Sequence, residues 1–255
     1  MTDTHLLDAV DVSRRFGGVS ALNGVTLHAD EAEIVGLIGP NGAGKSTFFD
    51  CIYGTIRPNS GRITFAGRDL SLQPEYRRSR LGLGRTFQRI ELFPGMTACD
   101  HLLVAGRSQQ RDGGVLRDLA GRGRITQAER DEALGVLEML GIADEAERPI
   151  EALSLGHGRL VELGRALMTK PRLLLLDEPS SGLDRAETTA MVDVLRLVRE
   201  RHHTAIVLVE HDVEMVAEVT ERVYVLDIGR LIAEGPTNDV LDDPIVRQAY
   251  LGVPA

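Results

Sequence analysis

Gly39-Pro40-Asn41-Gly42-Ala43-Gly44-Lys45-Ser46-Thr47 follows directly on the apolar run Ile34-Val35-Gly36-Leu37-Ile38. The apolar run reads as a buried β-strand, and a strand, a glycine loop and then a helix is the order that builds a phosphate cradle. Gly39, Gly42 and Gly44 can take backbone angles closed to other residues, so successive N–H groups can turn inward toward anionic oxygens. A helix starting near Lys45 adds the positive end of its dipole. Lys45 is expected to set its ammonium on β- and γ-phosphates, with the Ser46 hydroxyl as a magnesium ligand. The whole loop, including Asn41, Ala43 and Thr47, is therefore a candidate ATP-binding segment. An ordinary glycine-rich turn does not fix four kinds of position at this spacing in this context.

A second apolar run, Leu173 to Leu176, ends in Asp177-Glu178. Asp177 supplies a carboxylate where a phosphate-bound magnesium needs support, and Glu178 is placed to polarise an attacking water. This is the Walker B arrangement. Four leucines and two acids on their own describe a core strand with a solvated end equally well, and the phosphate loop upstream is what favours the functional reading.

The chain has 255 residues, enough for one large α/β domain or a domain with an insertion. Its net charge of −9 repels a polyphosphate backbone and argues against a nucleic-acid partner. Arginines do cluster, at Arg77, Arg78, Arg80, Arg85 and Arg89 and again at Arg111, Arg117, Arg122 and Arg124. Both clusters read as solvated faces, with an anion-binding or lipid-headgroup surface as the alternative. Cys51 and Cys99 lack a metal-ligand pattern and read as packing residues in a reducing compartment. Met1 to His5 lacks the basic and apolar regions of a secretion signal. No apolar run approaches the roughly 18 residues needed to cross a bilayer.

Alternating stretches at Leu7 to Val12, Val25 to His28 and Arg62 to Gly67 predict antiparallel strands around the first nucleotide helix. Between about Thr97 and Met168 the period becomes helical. Ala133, Val136, Leu137 and Leu140 share one helix face, with Thr126 and Glu129 as a capping box before them. The Gly- and Arg-rich stretch Gly106 to Arg124 is expected to be the least ordered part. A helix is expected from about Arg185 to Glu200, and further buried strands at Ala205 to Val209 and Val223 to Leu226. Strands alternating with helices imply a parallel core sheet.

Between the two Walker elements lies Leu153-Ser154-Leu155-Gly156-His157, which resembles LSGGQ, the signature of the ATP-binding cassette ATPases. Gln88 after Thr86-Phe87 resembles that family's Q-loop, Ser181-Gly182-Leu183-Asp184 its D-loop, and His211 its switch histidine. Their order along the chain is the family order, and the resemblance runs from about Leu6 to Gly252. It implies an α/β fold with a P-loop NTPase core and mostly parallel sheet, an antiparallel β subdomain and an inserted α-helical subdomain. Residues 1–255 then form a single domain, with the core and β subdomain in 1–96 and 160–240, the helical insertion in 97–159 and an extension in 241–255.

The same resemblance assigns catalytic roles to Glu178, His211 and Gln88, with Ser46, Gln88 and Asp177 holding Mg2+. Ser154 and Gly156 are the positions that present a hydroxyl and an N–H to the γ-phosphate. His157 and Asp184 join them at the nucleotide. Leu155 and His157 depart from the consensus glycine and glutamine. Phe16 resembles the aromatic position that stacks on adenine, with core packing as the alternative. Each motif also has a plainer use: Ser154 caps a helix, Asp184 with Glu187 forms a capping box, and Gln88 and His211 taken singly are surface residues.

The family geometry implies a head-to-tail dimer around two Mg-ATP, each held by Lys45 of one subunit and Ser154 of the other. The second ATPase subunit is either identical or a paralogue. A separate integral-membrane permease is the implied partner, reached from the cytoplasmic face. Arg85-Thr86-Phe87-Gln88 with Leu92-Phe93 and Met96-Thr97, the insertion after Leu102 and the ending Asp243-Pro244 to Gly252 look like branched-chain amino-acid uptake ATPases. Lipopolysaccharide-export and urea-uptake cassettes share that ending, and a non-transport ABC ATPase is the further alternative.

Overall fold

The computed structural model describes residues 5–86, 92–108 and 125–251. Strands β1 (Leu7–Phe16), β2 (Val19–Ala29), β4 (Ser60–Phe65) and β5 (Arg68–Asp69) form an antiparallel sheet in the order β2-β1-β4-β5. The second sheet contains β3 (Ile34–Ile38), β6 (Leu83–Arg85), β7 (Leu173–Asp177), β8 (Ala205–Val209), β9 (Arg222–Asp227) and β10 (Arg230–Pro236). Its order is β10-β9-β3-β8-β7-β6. The run from β9 to β6 is parallel, and β10 closes one edge antiparallel.

The central strands β3, β7 and β8 are buried along their whole length because the sheet is covered on both faces. Successive side chains still alternate between those faces. Val35, Leu37, Leu173, Leu175, Ala205, Val207 and Val209 enter one apolar cluster. Ile34, Leu174, Leu176, Ile206 and Leu208 enter another.

The first cluster is filled by helix α1 (Lys45–Tyr53), through Phe48, Phe49, Cys51 and Ile52. Leu7, Val12, Leu27, Ile63 and Phe65 of the antiparallel sheet cover it from the other side. The phosphate-loop helix thus lies between two sheets. Below the core sheet, α3 (Ala98–Ser108), α4 (Gln127–Met139), α5 (Leu155–Leu167) and α6 (Arg185–His202) supply the second cluster.

The expected face of α4 is observed: Ala133, Leu137 and Leu140 are buried, and Thr126 and Glu129 make both bonds of the capping box. The boundary drawn between 159 and 160 falls inside α5, whose apolar face joins the helical layer to the sheet. Gly106, Arg107 and Ser108 finish α3, while 109–124 lie outside the described residues.

The solvated-face reading fails for two arginines. Arg78, on α2 (Glu75–Arg80), is 2% exposed and donates to the carbonyls of Cys51, Ile52, Leu70 and Gln73. Its guanidinium fills the end of α1, where unpaired carbonyls need donors. Arg85 is likewise buried, between Asp50 and Asp177. Arg89, Arg111, Arg117, Arg122 and Arg124 lie outside the described residues. Both cysteines are free and buried, and burial pushes the Cys51 thiol up to about 11, which suits packing rather than reactivity.

Candidate functional site

Parallel strands bring their C-terminal ends to one edge, which is where open α/β sheets place ligands. Leu37 of β3 and Asp177 of β7 both pair in register with Val209 of β8. The loop after β3, the acids after β7 and the Glu210-His211 pair after β8 therefore meet.

The loop's backbone depends on glycine at two places. Gly39 has φ 148°, and a Cβ there would lie 2.0 Å from the Leu226 carbonyl oxygen. Gly44 has φ 107°, with the Ala21 carbonyl oxygen 2.5 Å from a would-be Cβ. Gly44 is also the N-cap of α1 and brings no side chain to the first N–H groups of that helix. Lys45 is buried and donates from Nζ to the carbonyls of Gly39 at 2.6 Å and Pro40 at 3.0 Å. Burial lowers its pKa, while Glu178 and Asp177 nearby work in the opposite direction. Asn41 is exposed on the same loop, beside Gly42 and buried Ala43, while exposed Ser46 and half-buried Thr47 follow Lys45 in the first turn of α1.

Asp177 is 4% exposed. Burial raises its pKa, opposed first by Arg85, whose Nη2 is 3.5 Å from Oδ2. Among the described residues nothing hydrogen-bonds to its other oxygen, Oδ1, which is also buried. Glu178 has φ 50°, the left-handed region that a non-glycine residue enters at a cost of about 1–3 kcal/mol. Its N–H donates to Val209 O at 2.8 Å, and its Oε1 is 2.8 Å from His211 Nε2. The bend aims the carboxylate at the histidine at the end of the neighbouring strand.

Glu210 was not singled out from the sequence, yet it organises this corner. It is 2% exposed and accepts from the N–H of His211 at 2.9 Å and of Ser180 at 2.8 Å. An acid beside a histidine at a strand end was the available signal. His101 gave none: it is 1% exposed, with Nδ1 2.8 Å from Thr97 O and Nε2 accepting from the Phe93 N–H at 2.8 Å. Two backbone groups thereby fix its neutral tautomer.

Ser154, Gly156, His157 and Asp184 gather elsewhere, on helices of the opposite sheet face. Ser154 caps α5 by accepting from His157 N at 3.1 Å. Asp184 caps α6 and makes a capping box with Glu187. A Cβ on Gly156 would lie 2.5 Å from Glu187 Oε1, so the two helix starts come close together there. Leu155 is 47% exposed and lies over Gly182, 2.7 Å from where a Cβ would sit. His157 Nδ1 is 3.7 Å from Glu145 Oε1. Phe16, at the end of β1, is 44% exposed under the Arg14 guanidinium, which sets core packing aside. Gln88 lies outside the described residues.

A lysine loop and an acid-bearing strand end, separated by one further strand, place the chain among the P-loop nucleotide hydrolases. Residues 22–181 match the ABC transporter family, and the chain belongs to it. The fold is the ABC ATPase fold and the activity is ATP hydrolysis in a transporter. Residues 230–255 match a second family, described as branched-chain amino acid ATP-binding cassette transporter.

Curated relatives span the same length. LivG of Salmonella typhimurium, a high-affinity branched-chain amino acid transport ATP-binding protein, is 40% identical over 97% of this chain and 98% of its own. BraF of Pseudomonas aeruginosa, with the same description, is 36% identical over the same shares. The solved ADP conformation of MJ1267, an ATP-binding cassette of an ABC transporter, aligns with a TM-score of 0.86 at 28% identity. It covers 98% of this chain and 100% of that one.

Proposed function

We propose that this ATPase closes as a head-to-tail dimer around two Mg-ATP and drives a separate membrane permease for branched-chain amino-acid uptake. The observation that carries the reading is the meeting of Lys45, Asp177 and the Glu178–His211 pair at one sheet edge. The signature cluster stands on the other face of the same sheet.

In this reading the Lys45 ammonium turns from the Gly39 and Pro40 carbonyls to the β- and γ-phosphates, and the N–H groups of Gly42, Ala43 and Gly44 line the same oxygens. Phe16 stacks on adenine. Asp177 and Ser46 suit magnesium, since both offer hard oxygens and Oδ1 is a buried acceptor with no donor among the described residues. No cluster of three metal-binding side chains occurs among the described residues. Magnesium fits such a site because it binds through one or two carboxylates, phosphate oxygens and water rather than a protein cage. When bound it neutralises charge building on the transferred phosphoryl group. Gln88 is assigned to the metal on the family resemblance alone.

Glu178 accepts the proton of the attacking water, and His211, held by Glu210, orients the carboxylate and contacts the γ-phosphate. Ser154 and Gly156 of the partner copy complete the site, and Asp184 lies at the same junction. Loss of the γ-phosphate removes the contacts that favoured closure.

The relatives' names and the C-terminal match support amino-acid uptake over lipopolysaccharide export or urea uptake. No helix among the described residues is long and apolar enough to cross a membrane, which supports a permease on other chains and a place on its cytoplasmic side. Glu178→Gln is expected to cut turnover about 10²–10⁴-fold while an ATP-dependent dimer accumulates in size-exclusion chromatography. Retained turnover removes Glu178 from the chemistry, and a variant that stays monomeric with ATP removes the dimer. Leucine uptake by vesicles carrying the cassette and its permease tests the cargo.

A further inference from the structure

Arg85 ends β6 between two carboxylates from different elements: Nη1 lies 2.6 Å from Asp50 Oδ1 on α1, and Nη2 lies 3.5 Å from Asp177 Oδ2 on β7. The pull is unequal, since the short contact is to Asp50. The guanidinium also lies 5.7 Å from the Tyr53 ring centroid, on the same helix as Asp50. A planar fork of N–H groups is shaped to take both oxygens of one carboxylate, so an unrestrained Arg85 would cover Asp177 completely. It does not, and Oδ1 is left without a donor among the described residues.

We propose that Asp50 is a positioning residue for the metal site: by holding the Arg85 guanidinium it keeps Asp177 Oδ1 open to the cation that accompanies the nucleotide. The inference rests on the reading of Asp177 as a magnesium-supporting residue. Loss of the Asp50 charge acts twice in the same direction. The fork turns onto Asp177 and occupies Oδ1, the oxygen otherwise left for the metal, and its positive charge comes closer to the cation. Both weaken magnesium binding. Nucleotide bound without metal depends on the loop N–H groups and Lys45, which Asp50 does not touch.

The experiment measures ADP binding to the full chain by titration calorimetry across a magnesium series and in EDTA, with no turnover involved. Asp50→Asn keeps the side-chain shape, and a thermal melt checks its fold. It is expected to raise the magnesium concentration at half effect by about tenfold, with metal-free ADP affinity near the wild-type value. Asp50→Asn combined with Arg85→Met removes the competing cation and is expected to restore the wild-type magnesium midpoint.

An unchanged midpoint in Asp50→Asn overturns the proposal. So does an equal loss of affinity with and without metal, or a double variant no better than the single one. If the double variant does not fold, Asp50→Glu decides: it keeps the charge and is expected to keep the midpoint, and a shift as large as that of Asp50→Asn overturns the proposal. A wild-type chain whose ADP binding ignores magnesium refutes the metal-site reading itself, a separate outcome.

Discussion

The two motif clusters on either face of the core sheet are built on opposite plans. Asp177, Glu178 and His211 come from strand ends and Lys45 from the first turn of α1; they are tied to backbone carbonyls and to each other, and bring charge into a largely buried corner. Ser154, Gly156 and Asp184 come from helix starts, are neutral or capping, and surround the exposed Leu155. The first half is completed by its own fold. The second satisfies its local bonds within the chain and turns one apolar side chain, Leu155, outward.

Lys45→Ala attacks the first half directly. It leaves the Gly39 and Pro40 carbonyls without their donor and the phosphates without the ammonium, and turnover is expected to fall about 10²–10³-fold. Nucleotide binding by the monomer falls with it in calorimetry. A Lys45→Ala chain that binds ATP normally would erase the distinction between the halves.

Ser154→Ala sharpens the contrast, because the serine caps α5 and, in the proposed dimer, also faces the partner's nucleotide. The lost cap costs about 1 kcal/mol of stability, read from denaturant unfolding. If the partner reading holds, ATP binding by the monomer stays intact while ATP-dependent dimerisation is lost. Equal damage to both would put Ser154 in the Lys45 site.

A last effect, which touches stability alone, separates structure from chemistry. Burial and, in the same direction, Arg165 hold His101 below its ordinary 6.5, against the Thr97 hydrogen bond, Asp100 and Glu151. The unfolded chain takes up a proton near 6.5 that the folded chain refuses. Stability therefore falls as the pH drops below about 6.5 toward the folded value, by at most about 1.4 kcal/mol per pH unit. His101→Gln is expected to flatten that slope in thermal melts between pH 7 and 5. An unchanged slope would mean that His101 is not its source.

The phosphate loop, the acidic strand end and the central strands were legible in the sequence because each is a local pattern: glycines at fixed spacing, or a short apolar run. The caps at Thr126, Ser154 and Asp184 were legible for the same reason, since a cap and its partner stand three residues apart. Arg78 and Arg85 were misread because their partners lie on elements remote in sequence, Cys51 and Ile52 for one and Asp50 and Asp177 for the other. A run of arginines looks solvated until the fold shows which carbonyls and carboxylates it meets. His101 stayed hidden because its backbone partners at Thr97 and Phe93 belong to no cap or motif spacing, whereas Glu210 had the neighbouring histidine as its signal.

Because side chains of β7 alternate between the two apolar clusters, Leu174 and Leu175 serve different clients. Leu175 packs beneath the helix that carries Lys45, and Leu174 packs on the layer that presents Ser154. Neighbouring codons in one short strand thus reach the helix that carries Lys45 and the helical layer that presents Ser154 separately. A change of side chain at either position bears first on its own cluster and reaches the other only through the shared backbone of β7.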